Sequence, residues 1–515
     1  MPLEPEGFDY EGVFPARGRR GRESDAPEEV WPGSRKLKSS DDRNIKPTSP
    51  TSLPTQAKQQ TPANPSFAAK SGDWIRRRGH TLSFAGLFVF SIVLYCRPYE
   101  SVPGLSSLTS MAFYTGIVTL TIYAISQMAI EGNLTARPKE INLVFLIGVA
   151  ALLSMPMAES IGDAWKVFSE QLIKTIVIFV VLVNVVRTES RLKLLLLLIL
   201  VVSLYLSIGA INDYRHGLFG TGAVITHDAR IAGRIKGLFE NSNDLALHLV
   251  TMIPIAVALG LGGRNPLKKL IYFGGAALMV AAVIVTFSRG GFIGLVAMAL
   301  IMVRRLGKKN RVATTGAMVF AVILFLAFAP GAYSGRLSSI LNSSSDLTGS
   351  SSQRTEVLKR SFWVMLRYPL LGVGIGNFRH KSPRNLETHN AYTQVGAEMG
   401  IATMVVYILF LVHPIRRMRL VENESQSKQD QLRFYYLAIG LQGALVGFMV
   451  SSFFGAVAYQ WYVYYLVAYA VCLHRLYIMK FQPEKELAGR FWEHPFAKER
   501  GKLVRSDTVS QMGHV

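Results

Sequence analysis

The distribution of apolar residues constrains this chain more than any other feature. Between two polar tails, apolar runs alternate with short connectors, and runs of roughly 17–25 residues are what a hydrocarbon layer ~30 Å thick requires. Candidate spans lie at 82–95, 107–130, 141–157, 172–186, 192–211, 245–261, 270–287, 292–303, 313–329, 391–412, 434–454 and 459–477, about twelve in all. The expected fold is an all-α polytopic membrane protein, and a soluble enzyme is excluded.

Charge follows the same alternation. The formal net charge of +22 would raise nucleic-acid binding in a soluble chain. Here much of the positive charge sits in connectors, such as Arg264, Lys268 and Lys269, or Arg304, Arg305, Lys308, Lys309 and Arg311. That pattern reports topology, with basic connectors on the cytoplasmic side. No nucleic-acid partner is expected; membrane lipids are. Basic residues mark every second junction, which places both termini in the cytoplasm and turns the intervening junctions outward.

The tails lie outside this scheme. Residues 1–75 are rich in Pro, Ser, Thr, Gln and charge, with too little apolar surface to offset the entropy of ordering, and read as a disordered cytoplasmic tail. No apolar segment near the start suggests a signal peptide. The membrane domain then runs over 76–480, and 481–515 form a cytoplasmic C-terminal tail. Cys96 and Cys472 fall at opposite faces, so no disulfide is expected, and no spacing of Cys with His suggests a metal site.

The outward junctions carry polar residues that topology does not explain. The longest, 331–390, includes Arg336, Arg354, Glu356, Arg360, Trp363, three glycines at 372, 374 and 376, and the lip Thr388, His389 and Asn390. Loops of this length are functional devices or disordered; apolar residues at helical spacing favour a folded, helical cap. A second junction ends in Gly233, Arg234, Lys236, Gly237 and then Asn241, Ser242, Asn243 and Asp244. One of Asn241, Ser242 and Asn243 caps the next helix, which leaves Arg234 and Lys236 unexplained.

The third is the tight turn Ser288, Arg289, Gly290, Gly291. Arg289 either snorkels to lipid phosphates or, at a break followed by two glycines, approaches a ligand; an ionisable residue at this depth is a candidate site residue. His389 opens the span after the long loop. Thr393, Gly396 and Gly400 follow it along one face, with Gly396 and Gly400 forming a small-xxx-small pair for close helix packing. The Gly372, Gly374, Gly376 cluster has the look of a nucleotide loop but lacks a lysine and a strand-helix unit, and reads as turns with close backbone approach. No spacing singles out a carboxylate pair for glycoside hydrolysis among Asp228, Glu240, Glu356 and Glu387. Basic rather than acidic outward residues favour an anionic ligand.

Taken in order, Gly233, Arg234, Gly237, Asn241 and Asn243, then 288–291, then Arg354, Trp363, Pro369, Gly372 and Gly374, then His389, Asn390, Glu398 and Gly400, the chain resembles the O-antigen ligase and polymerase superfamily of bacterial membrane glycosyltransferases. The resemblance covers roughly 76–480 and does not separate ligases from polymerases. It implies a GT-C-like fold in the inner membrane and transfer of a glycan from undecaprenyl diphosphate on the periplasmic side, to a glycan or lipid A-core acceptor, without metal, nucleotide sugar or other cofactor. By position, Arg234 and Arg289 would bind the diphosphate and His389 would be the base. Arg354, Lys236, Asn243 and Asn390 are further substrate-binding candidates.

The chemistry of these residue types fits that implication. Guanidinium groups stabilise a departing diphosphate, a histidine suits removal of a hydroxyl proton near neutral pH, and direct displacement would invert the anomeric centre. A secondary transporter or flippase-like membrane protein of about twelve spans shares the span count and cytoplasmic ends, but transporters typically show two related halves with matching broken helices, and no such repeat is visible. A scaffolding subunit that acts through its tails is the third reading.

Overall fold

The computed structural model describes residues 67–97, 111–136, 138–217, 231, 239, 241–307 and 350–483, all within one compact unit, Pro65–Val515. Arg234, Lys236, Arg336, the expected span 313–329 and the expected disorder of 1–66 lie outside the described residues. Those described form helices and no strand.

In chain order the helices are α1 (Phe67–Cys96), α2 (Met111–Glu131), α3 (Lys139–Ser154), α4 (Ile161–Val167), α5 (Ile173–Val185), α6 (Glu189–Arg215), α7 (Ser242–Leu261), α8 (Pro266–Val285) and α9 (Arg289–Leu306). They continue as α10 (Ser350–Arg367), α11 (Phe378–Lys381), α12 (Ala391–Met399), α13 (Ile401–Ser425), α14 (Leu432–Ser451) and α15 (Trp461–Phe481). α1 thus begins ahead of the boundary that composition suggests at 75. Among the described residues, ten helical stretches are long and apolar enough to cross a membrane. The expected span 292–303 is helical as α9, but is not among those ten, since Arg289, Arg304 and Arg305 charge its ends.

Burial separates hub from rim. In α15, 94% of the most apolar window is buried, against 22% in α2, so α15 is central and α2 turns Phe113, Ile117 and Val118 outward. Water does not drive helices together in lipid, so small residues that allow close packing take over. On α14, Gly440, Gly443 and Gly447 recur at three and four residues and share a face. A Cβ at Gly440 would sit 2.7 Å from the Pro254 carbonyl oxygen, and one at Gly447 would sit 2.9 Å from Val250. α14 therefore lies directly against α7.

Two main-chain irregularities shape the rest. A π-helical turn, Phe168–Leu172, joins α4 to α5 within one candidate span, Ile161–Val185. The expected span 391–412 is not one helix: Gly400 adopts φ +89°, and the chain breaks into α12 and α13. Gly396 does serve close packing, since a Cβ there would lie 2.5 Å from Met365 Sδ on α10. Gly400 does not extend that face; a Cβ on it would meet the Leu370 carbonyl oxygen at 2.2 Å, and the Ile401 amide donates to the Pro369 carbonyl at 2.8 Å.

Where described, the long loop holds two helices joined by turns. α10 and α11 form a cap tied to the helix ends below it. Asn377 accepts from the Ser160 amide (2.8 Å) and donates to the Ser160 carbonyl (3.1 Å), while Arg379 and His380 pair with Asp163, each at 2.9 Å. At the opposite end of α3, Glu140 is fully buried and receives Arg417 Nε at 2.6 Å and His413 Nδ1 at 2.7 Å.

Candidate active site

Three helices start in the same way. Asn241 precedes α7 and accepts the Asn243 amide at 2.9 Å. Ser288 precedes α9, its hydroxyl accepting the Gly291 amide at 3.1 Å. Asn390 precedes α12 and accepts the Tyr392 and Thr393 amides at 2.9 and 3.0 Å. Each cap satisfies an amide that the first turn leaves unpaired. Just ahead of each stands a non-glycine residue in the left-handed region: Phe239 at φ +60°, Phe287 at +53° and His389 at +51°. Such backbone is costly for bulky side chains, and clusters where function demands a particular aim.

The three starts converge. Ser288 Oγ donates to Asn243 Oδ1 at 2.8 Å, which fixes α9 against α7. A Cβ at Gly290 would stand 2.5 Å from Phe454, and one at Gly291 would stand 2.5 Å from Ala246, so only glycine fits at either place. α12 reaches the same corner, where the Tyr392 hydroxyl donates to the Met449 carbonyl at 2.7 Å and its ring lies 4.5 Å from that of Phe453. Gly455 faces Asp244, and Glu387 lies within electrostatic reach of Asp244. Helix N-termini carry partial positive charge, which favours an anion at this corner, while the Asp244 and Glu387 carboxylates oppose one on their own side of it.

Side chains add to that field. Arg289, the first residue of α9, is half-buried, as are Arg354 on α10 and His389. Burial, helped by the neighbouring Arg354 guanidinium, lowers the His389 pKa from its ordinary 6.5. A neutral imidazole at pH 7 can accept a proton.

Behind His389 the short α12 is braced at its far end. Glu398, 5% exposed, accepts the Gly376 amide at 2.8 Å and the Tyr459 hydroxyl at 2.7 Å. Burial pushes its carboxyl up to about 7 despite those bonds, and holds the Tyr459 phenol well above its usual range. Gly372, at φ +67°, brings the cap onto the Glu398 backbone; a Cβ there would lie 2.3 Å from the Glu398 carbonyl carbon. The Val373 amide donates to the Ala397 carbonyl at 3.0 Å.

Of the residues singled out by sequence, Asn243 is joined to Ser288, which precedes Arg289, Arg354 lies within electrostatic reach of His389, and Asn390 caps the helix that His389 precedes; the link between the two groups runs through Asp244 and Glu387. Asn243 spends its Oδ1 on Ser288, and Asn390 spends its own on the helix cap. Arg234 and Lys236 lie outside the described residues. Sequence reasoning missed Phe287 as a strained hinge, the approach of Glu387 to Asp244, and the bracing of Glu398 by Tyr459. The glutamate had a signal, since Glu398 and Gly400 sit two apart after His389; Tyr459, 61 residues away, had none.

Residues 274–408 match a family model described as O-antigen ligase. The matched stretch contains 288–291, Arg354, His389 and Glu398, and stops short of Asn243 on the N-terminal side. This match supports the O-antigen ligase and polymerase superfamily. A comparison with curated proteins found no match.

Proposed function

We propose that the chain transfers a glycan from undecaprenyl diphosphate to an acceptor hydroxyl on the periplasmic side of a bacterial inner membrane, without metal and with inversion, both termini being cytoplasmic. The O-antigen ligase match gives the class of reaction. The observation that supports the mechanism is the convergence of the Arg289 turn and His389 upon three capped helix starts.

In this reading the donor diphosphate lies at the starts of α7 and α9, where amides and the Arg289 guanidinium meet it; Arg234 serves as a second cation. The acceptor hydroxyl approaches the anomeric carbon from the opposite side. Its oxygen forms the new glycosidic bond while the bond to the diphosphate oxygen breaks, and the diphosphate leaves with the electron pair. The hydroxyl proton passes to the His389 imidazole, which its environment keeps neutral. Arg289 stabilises charge that grows only as the bond breaks, so its effect falls on the transition state. Arg354, beside His389, opposes a lasting imidazolium and favours return of the proton to solvent. Asn243 and Asn390 act through the backbone they hold, and Lys236 adds positive charge at the approach to α7.

The test is glycan transfer by protein reconstituted with lipid-linked glycan. His389→Ala and Arg289→Ala are each expected to lower kcat by about 10²–10⁴-fold, with folding unchanged by thermal unfolding in detergent. Undiminished transfer in both variants would refute the proposal. Product analysis with lipid A core and with a second lipid-linked repeat as acceptors separates ligase from polymerase.

A further inference from the structure

Away from the corner just described, α1, α2 and α5 enclose a cavity of about 600 Å³. Its walls are apolar, with Leu87, Phe90, Ile117 and Ile178 among them. Arg97, Glu170, Lys174, Tyr459 and Gln460 add polar groups. Along α1 the lining runs from Leu87 to Arg97, roughly 15 Å at the helical rise, apolar first and cationic last.

Two observations mark the cavity as more than a packing gap. Glu170 and Lys174 stand four residues apart at the outer end of the apolar stretch 172–186, following Asp163, which the cap grips through Arg379 and His380. Both are exposed on the helix surface and line the cavity, at the level where a long lipid chain gives way to its headgroup. The main chain there is the π-helical turn Phe168–Leu172, an irregularity found mostly at functional sites. The second observation is a connection: Tyr459 lines the cavity and donates its hydroxyl to Glu398 at 2.7 Å, the residue that braces the helix behind His389.

We infer that this cavity binds the chain and phosphate of a second lipid, the membrane anchor of the acceptor. The inference rests on the transfer reading above. An amphipathic slot with Arg97 and Lys174 suits a long apolar chain bearing a phosphate, while Glu170 and Gln460 suit hydroxyl groups next to it. The donor diphosphate belongs to the Arg289 turn, which packs on α7 and on residues 451–455. The cavity instead meets α12 from its Glu398 end. Two lipid-anchored substrates then approach His389 from the two ends of one short helix, each with its own cations.

The experiment uses the full chain in phosphatidylcholine nanodiscs carrying photoactivatable phosphatidic acid, or photoactivatable diacylglycerol as the uncharged control, with crosslinks mapped by mass spectrometry. Phosphatidic acid is expected to label α2 and α5 at Phe113, Ile117, Ile173 or Ile178. Ile117→Trp, at a position 47% exposed and so able to take the ring without refolding, should cut labelling about five-fold by filling the slot. Lys174→Gln should cut phosphatidic acid labelling about three- to ten-fold, and diacylglycerol labelling not at all. In the transfer assay both variants should raise KM for a lipid-linked acceptor and leave that for the donor unchanged. Equal labelling by both probes, unaffected by Lys174→Gln, would mean ordinary bilayer lipid and overturn the inference; so would a rise in donor KM alone. If the wild-type chain transfers nothing while charge-dependent labelling persists, the transfer reading fails and the lipid site stands as a site for a lipid phosphate.

Discussion

At the end of the bundle where α3 begins, Glu140 is fully buried and saturated by Arg417 and His413. Along α13 from Arg417, Glu422 is equally buried and meets Arg305 at 3.4 Å and Gln442 at 2.8 Å. At the other end, where α7, α9 and α12 begin, polarity comes from helix N-termini, half-buried Arg289, Arg354 and His389, and strained backbone at Phe287 and His389. One end neutralises its charges within the protein and so fixes four helices to each other. The other gathers three capped helix starts beside half-buried Arg289, Arg354 and His389, with the Asp244 and Glu387 carboxylates close by, and under the proposed transfer it receives the donor diphosphate. Saturated buried charge builds one end of this protein; strained backbone and half-buried polar groups mark the end proposed to bind.

The contrast predicts that substitutions at the two ends fail in different ways. The largest effect on activity is expected from Arg289→Lys, which keeps the charge but loses the planar fork: about 10–10²-fold in kcat/KM for the lipid-linked donor, with the unfolding temperature unchanged. Loss of stability with retained turnover per folded molecule would reverse the assignment. The largest effect on stability is expected from Arg417→Met, which leaves Glu140 with His413 as its partner and should cost about 1.5–3 kcal/mol in a reversible unfolding assay. Turnover per folded molecule should stay near wild type. Asn390→Ala removes a cap without touching charge and should cost about 1 kcal/mol, measured as a lower unfolding temperature that Asn390→Asp restores.

The smallest effects are in pH dependence. With the His389 pKa below 6.5, the acid limb of kcat/KM should fall below that pH. Arg354→Gln removes a cation that disfavours imidazolium, so the limb should move upward, by less than about one unit. Glu398 gives the opposite kind of signal. Its folded pKa of about 7 exceeds the unfolded 4.5, so between those values the folded state holds a proton that the unfolded state has lost. Its contribution to stability is therefore present below pH 4.5 and is lost as pH rises to about 7. Glu398→Gln should flatten that slope in unfolding temperature against pH; an unchanged slope would place the titration elsewhere.

Much of this was legible in the chain. Apolar runs located the helices because lipid permits little else, and polar residues at 241–243 marked a helix start by cap chemistry that is local in sequence, whereas 288–291 and 388–390 were legible as a turn and a lip and not as caps. His389 and Arg289 stood out because no topological rule accounts for them. The Gly400 break was not legible, since 391–412 is one apolar run and its two glycines are spaced for packing; the break follows from the approach of Leu370, a tertiary fact. Tyr459 with Glu398, and Asp244 with Glu387, were hidden for the same reason. The cavity was invisible because it is space between three helices, and no residue encodes space by itself.

The Gly400 break has a mechanical consequence. It turns what hydropathy reads as a single rod into a long post, α13, anchored at its far end through Arg417 and Glu422, and a nine-residue bracket, α12, that carries the histidine. The bracket is bolted to the cap by the Val373–Ala397 bond and by Glu398 to Gly376, and the top of the post is bolted to it as well, by Ile401 to Pro369. Cap, bracket and post top thus form one joint, and the cap sets the aim of the imidazole from both sides of the break.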